Sequence, residues 1–225
     1  MNISAEERAL YYGERLAEVI RCKTVSKKDG FEAAEFLKLR EVIKKLFPLM
    51  TEKAELRILG DDAYLYKIKG RDESRNVMVM SHHDVVDATG DWQEEPFAGV
   101  IRDGKLWGRG TVDTKTPLFA EFSAIEELLG EGFEFPVNTY LFSSHNEEYG
   151  GDGALLALDY FNENNIKFEW IMDEGGAIID PPMAGISKRC AMMAVHEKGR
   201  CTAQLTASSK PGHAGLEGGH KTPVM

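Results

Sequence analysis

A chain of 225 residues that is 43% hydrophobic holds enough apolar material to bury a sizeable core, which excludes the disordered and fibrous classes. Lysine and arginine number 27 against 37 aspartates and glutamates, a net charge of -10, so the sequence carries no footprint for nucleic acid or an anionic membrane surface. A cationic partner suits it better, and clustered carboxylates would make a metal ion that partner, although the charge by itself calls for no more than solubility.

At the N-terminus, Ser4 and Glu7 have capping-box spacing, and Tyr12, Leu16, Val19 and Ile20 recur at helical intervals, predicting a first helix to about Cys22. A second helix is expected over 31–46, stopped by Pro48. Strands at 55–59 and 63–68 flank the turn signal Gly60-Asp61-Asp62. The run 77–80 is apolar throughout, as in a strand buried on both faces. Residues 85–98 read as irregular, and 100–107 as a hairpin turning at Asp103-Gly104. Pro117 opens a helix that carries Leu118, Phe122, Ile125 and Leu129. A strand at 137–142, a helix at 153–164 with Leu155, Leu158 and Phe161 on one face, and a strand at 168–172 follow.

This alternation predicts an α/β fold, a mixed, mostly parallel sheet with helices on both faces. Beyond Pro181-Pro182 the segments 191–196 and 202–207 look like an antiparallel pair, so a boundary is placed between 1–187 and 188–225. Cys22, Cys190 and Cys201 are too few and too scattered for a disulfide framework. The N-terminus is charged, and no apolar run approaches the roughly 20 residues of a membrane span. A soluble, cytoplasmic protein is the expectation.

The run Ser81-His82-His83-Asp84 closes the apolar strand with an imidazole and, two residues on, a carboxylate, both on one side of the turn. His82, the pair Glu147-Glu148 and Asp173 each fall just past the carboxyl end of a predicted strand, where open α/β sheets place ligands. Asp113 follows a sharp turn at Gly108 and Gly110. One imidazole with several carboxylates suits Zn²⁺ and accepts Mn²⁺ or Co²⁺. Each piece alone has a plainer reading. A His-x-Asp is commonly a packing accident, a Glu-Glu pair is commonly solvated surface, and Gly108-Arg109-Gly110 and Gly150-Gly151-Asp152-Gly153 lack phosphate-loop spacing and read as turns. Their joint occurrence at strand ends favours the metal site.

Several stretches together resemble the M20 metallopeptidases, in detail the carboxypeptidase S and N-acyl-amino-acid hydrolase branch. They are Ser81-His82-His83-Asp84-Val85-Val86, Trp92 with Pro96-Phe97, the run from Asp103 to Lys115, His145-Asn146-Glu147-Glu148 with Gly150-Gly151, and Asp173-Glu174-Gly175. The resemblance implies a zinc-exopeptidase-like fold and a dinuclear zinc hydrolase that cleaves a peptide or N-acyl amino acid. It implies that His82, Asp113 and Asp173 hold one ion, with Asp113 bridging to a second held by Glu148. Asp84 would fix the tautomer of His82. Glu147 would act as general base on the attacking water. A cis peptide is implied after Asp113. An inserted α+β lid, begun by 188–225, would mediate a homodimer, and its His213 would reach the partner's site to stabilise the oxyanion. His83, His145 and His196 read as packing or surface residues. Family members run to about twice this length and draw a last histidine from a later segment that this sequence lacks. Asp87 and Thr114 also depart from the pattern. The rival expectation is therefore a truncated, non-catalytic metal-binding or interaction module.

Overall fold

The computed structural model describes residues 4–196, 199 and 203–206 and divides into two compact units, Met1–Gly175 and Gly176–Met225. In the first unit, α1 (Ala5–Ile20) begins on Ser4, whose side chain accepts from the Glu7 N–H while the Glu7 carboxylate accepts from the Ser4 N–H. This completes the expected capping box. A two-residue ladder, β1 (Ser26–Lys27) with β2 (Gly30–Phe31), precedes α2 (Ala33–Leu46). Pro48 ends α2 as expected but also opens an unanticipated α3 (Pro48–Lys53). A proline in the first turn gives up an N–H that has no helical partner there, so one residue both stops and starts a helix.

The strands β3 (Glu55–Leu59) and β4 (Ala63–Ile68) pair antiparallel with the expected bounds. The strand β5 (Asp72–His82) starts earlier than the apolar run 77–80, through a polar stretch with a register shift between Asp72 and Asn76. Next come β6 (Val100–Arg102) and β7 (Lys105–Trp107), joined through Asp103 and Gly104 at φ 52° and 69°, the left-handed pair a two-residue hairpin turn requires. The remaining elements are α4 (Lys115–Gly130), β8 (Val137–Ser144), α5 (Gly153–Glu163) and β9 (Ile171–Met172).

The main sheet has the order β3-β4-β8-β5-β9. Both β8 and β9 lie parallel to β5, while β4 opposes its two neighbours, so every strand but β4 runs one way. All eight residues of β8 are buried, because helices cover both faces. On one face Leu39 and Ile43 of α2, Phe47, and Phe122 of α4 pack on Tyr64, Tyr66 and Leu141. On the other, Ala157 and Phe161 of α5 pack on Leu65, Met78, Tyr140 and Phe142. Burying each such large side chain contributes about 1.5–3 kcal/mol.

The α5 face differs from the expected one. Leu155 and Leu158 are 62% and 52% exposed, and the buried side is Gly153, Ala157 and Phe161. Small residues let the helix start close against β8: a Cβ on Gly153 would meet Ser144 Oγ at 2.7 Å.

In the second unit β10 (Ala177–Ile179) pairs antiparallel with β11 (Cys190–Met192). That hairpin straddles the boundary expected at 187/188, and the division falls after Gly175 instead. Strand structure in 191–196 stops at Met192, and 203–206 is irregular. Cys201, His213 and His220 lie outside the described residues. Among the described residues no helix is long and apolar enough to cross a membrane.

Candidate metal centre

The central strands β5 and β8 end level, with Ser81 opposite Ser143 and His82 opposite Ser144. The segments leaving them therefore run side by side over the carboxyl edge of the sheet, tied by the His83 N–H donating to the Ser144 carbonyl at 2.9 Å. One delivers His82 and Asp84, and the other delivers Glu147 and Glu148 on a short 3-10 turn (Glu147–Tyr149).

His82 is buried, and its two ring nitrogens have different neighbours. Nδ1 lies 3.0 Å from the Asp84 carbonyl and 3.3 Å from Asp84 Oδ1, both acceptors, so Nδ1 carries a proton. Nε2 faces carboxylates: Asp113 Oδ1 at 3.0 Å, Glu147 Oε2 at 3.7 Å and Glu174 Oε1 at 3.9 Å. Asp113 sits on an irregular loop, its carboxylate 68% exposed, and the peptide bond to Thr114 is cis, as the resemblance implies. The Thr114 hydroxyl donates to Glu174 Oε2 at 3.3 Å.

Asp84 is fully buried and organises the surroundings. Its carboxylate accepts from Ser26 Oγ at 2.5 Å, from the Glu147 N–H at 3.1 Å and from the Glu148 N–H at 3.2 Å, besides holding His82. One carboxylate thus fixes the ring and the backbone of the Glu147-Glu148 pair together. Burial opposes its charge, but the bonds from His82 and Ser26 outweigh burial and hold its pKa below the usual carboxylate value.

Burial likewise opposes the charge on His82, yet the hydrogen bond and charge of Asp84, with Glu147 and Asp113, push its pKa up to about 9. Glu148 is raised by burial and by the Asp113 charge, although its Oε1 accepts from the Val86 N–H at 3.3 Å. Glu174 is raised by burial and by the charges of Asp173 and Asp113, against the pull of His82. Carboxylates crowded around one imidazole form a centre short of positive charge, the electrostatic condition for binding a cation.

His82, Asp113 and Glu174 each offer one ligand atom, and these atoms lie within 4.8 Å of one another. The sequence reading placed the third ligand on Asp173, but the group contains Glu174 instead. Asp173 is exposed and its Oδ1 accepts from the Glu174 N–H at 2.8 Å. The longer neighbour, just before Gly175 at φ 107°, reaches the ring. Glu148 stands beside the group without belonging to it. His83 and His145 are buried and His196 is exposed, as expected of packing and surface residues.

Sequence reasoning missed Ser26 and Thr24 as supports of the site. Thr24 Oγ1 donates to the His83 carbonyl at 2.5 Å, and Val25 forms a parallel bridge to Val85. Single polar residues in loops carry no pattern that would expose such contacts. Glu174 had a visible signal, since it adjoins Asp173 at the same strand end.

An open mixed sheet whose parallel strands bring an imidazole and several carboxylates to one edge defines an α/β protein with a candidate metal centre. Residues 78–209, more than half the chain, match the model of peptidase family M20/M25/M40, and the chain belongs to that family. It is 37% identical over 213 residues to "Probable carboxypeptidase S-like 2" of Dictyostelium discoideum, a match covering 90% of this chain and 41% of that one. It is 32% identical over 218 residues to the N-fatty-acyl-amino acid synthase/hydrolase PM20D1 of Xenopus tropicalis, covering 94% and 43%. The solved M20 family metallo-carboxypeptidase Sso-CP2 from Sulfolobus solfataricus matches with a TM-score of 0.58 at 25% identity, over 77% of this chain and 38% of that one. The chain thus spans less than half the length of the curated relatives it matches.

Proposed function

We propose that this chain carries the catalytic metal centre of an amide hydrolase that cleaves a peptide or N-acyl amino acid next to a free carboxylate. The observation that carries the reading is the convergence of His82, Asp113 and Glu174 around an imidazole whose other nitrogen Asp84 already holds. The donor set fits a divalent ion of the zinc type, one neutral nitrogen with carboxylate oxygens. His82, Asp113 and Glu174 would hold one ion, and Asp113 and Glu148 would serve a second. When bound, such ions supply a Lewis acid that polarises the scissile carbonyl and acidifies water.

The rest is done by side chains. Asp84 keeps the Nδ1 proton of His82 in place and leaves Nε2 free to give up its own. Glu147 is the general base: its backbone is pinned by Asp84 while its carboxylate, 3.7 Å from His82 Nε2, stays half-exposed where water and substrate arrive. It takes a proton from the attacking water and returns one to the leaving amine. The names of the relatives agree with such substrates, since a carboxypeptidase and an N-fatty-acyl-amino acid hydrolase both act at an amide beside an amino-acid carboxylate. The proposal includes a cytoplasmic, lid-mediated homodimer in which His213 stabilises the oxyanion.

The test is release of amino acid from N-acyl amino acids by the zinc-loaded full-length protein. Glu147→Gln is expected to lower kcat about 10²–10⁴-fold with zinc content unchanged. Unaltered turnover would remove Glu147 from the role.

A further inference from the structure

Among the described residues one lysine is completely buried, Lys115, the first residue of α4 and two residues past Asp113. Its Nζ donates to the carbonyls of Cys22 at 2.5 Å and Val19 at 3.3 Å, at the carboxyl end of α1. Each carbonyl also accepts a backbone N–H, Val19 from Cys22 at 3.2 Å and Cys22 from Thr24 at 2.9 Å, and its second lone pair, at the negative end of the helix dipole, suits an ammonium group. The stem of Lys115 fills the space over Gly110, where a Cβ would stand 3.1 Å from Lys115 Cδ. Its N–H closes the loop by donating to the Gly110 carbonyl at 2.9 Å, and Thr116 Oγ1 donates to the Thr111 carbonyl at 2.6 Å.

The segment that receives Lys115 is the one that braces the other side of the centre. After Cys22, Thr24 bonds the His83 carbonyl, the Val85 N–H donates to the Thr24 carbonyl at 2.9 Å, and Ser26 bonds the Asp84 carboxylate. Residues 22–26 are therefore a common anchor: one end holds the strap that carries His82 and Asp84, and the other holds the loop that carries Asp113.

We propose that Lys115, through the Val19 and Cys22 carbonyls, is a positioning residue that sets the Asp113 carboxylate against His82 for metal binding. The inference rests on the metal-centre reading above. Asp113 is mostly exposed and its loop has no regular ladder of its own, so the Lys115 tether locates it relative to the ring. A long buried cation reaching two carbonyls does this where a shorter or apolar residue cannot.

The experiment compares zinc affinity, by competition with a chelator, in the wild-type chain and in Lys115→Met, with folding followed by circular dichroism. Lys115→Met matches the length and burial of the stem and removes only the ammonium group. The expected result is zinc binding about tenfold or more weaker in the folded variant, the range for groups that orient metal ligands. Wild-type affinity in folded Lys115→Met overturns the inference and leaves the centre intact. A wild-type chain that holds no zinc overturns the centre and the inference with it. Should Lys115→Met fail to fold, Lys115→Gln, which keeps a donor, is read by the same assay. Failure of both to fold overturns the inference, because the lysine is then a fold anchor only.

Discussion

Asp84 shows how much one buried carboxylate can determine. Its partners are all donors, the Ser26 hydroxyl, two backbone N–H groups and the His82 ring, so a side chain of the same shape with an N–H₂ group would oppose at least one of them. Asp84→Asn is expected to weaken zinc binding about 10–100-fold. The same change should lower stability by about 1–3 kcal/mol, the cost of a buried donor left unpaired. Zinc titration and urea unfolding of the variant check both, and a variant matching wild type in each would show that Asp84 has no organising role. A second buried carboxylate, Asp62, accepts from Tyr64 Oη at 2.8 Å, pairs with Arg40 and lies 3.6 Å from His83 Nε2. Burial opposes its charge, but the nearby His83 ring, the Tyr64 hydrogen bond and the Arg40 charge win and lower its pKa. A carboxylate lowered on folding stabilises above its unfolded pKa, and that stability is lost as pH falls through the folded value. The gap in unfolding free energy between wild type and Asp62→Asn should therefore be widest near neutral pH and narrow below about pH 4. A constant gap from pH 7 to pH 2 in urea melts would refute this.

Elements were most legible where backbone chemistry and side-chain pattern agreed. The strands β3 and β4 are bounded by the turn at Gly60-Asp61-Asp62, and the hairpin β6-β7 by Asp103-Gly104, because left-handed turn residues are specified locally. The polar half of β5 escaped because hydrogen bonding to β8, which hydropathy does not record, holds it in the sheet. The packed face of α5 escaped for another reason. Its leucines and its small residues both recur at helical spacing, and only the sheet decides which side fits. That choice has a measurable consequence: Phe161→Ala should cost about 3–5 kcal/mol, while Leu155→Ala and Leu158→Ala should stay within about 0.5 kcal/mol. Equal losses at Leu155 and Phe161 in chemical denaturation would show the helix to be turned. The site divides the same way. His82 and the glutamate pair were readable from strand ends and Asp113 from the glycine turn before it, whereas the approach of Glu174 to the ring depends on how the backbone leaves β9, and the Lys115 contact on the packing of α1.

For the molecule as a whole, the ligand candidates are drawn from positions 82, 113 and 174, which only the finished sheet brings together. A cation that binds them binds the folded state alone, and stabilises it by about 2.7 kcal/mol at a free concentration 100-fold above its Kd. Thermal unfolding of the chain should shift upward with added Zn²⁺ and not with Mg²⁺, whose octahedral oxygen shell an imidazole suits poorly. No shift with zinc would mean that the three side chains do not act together. The bonds that converge on Asp84 fix the His82 ring and the backbone of the Glu147-Glu148 pair, so that much of the geometry offered to an incoming ion is set by the fold. Replacing one ion with another, cobalt for zinc, should accordingly be a matter of simple dialysis, with no refolding in between.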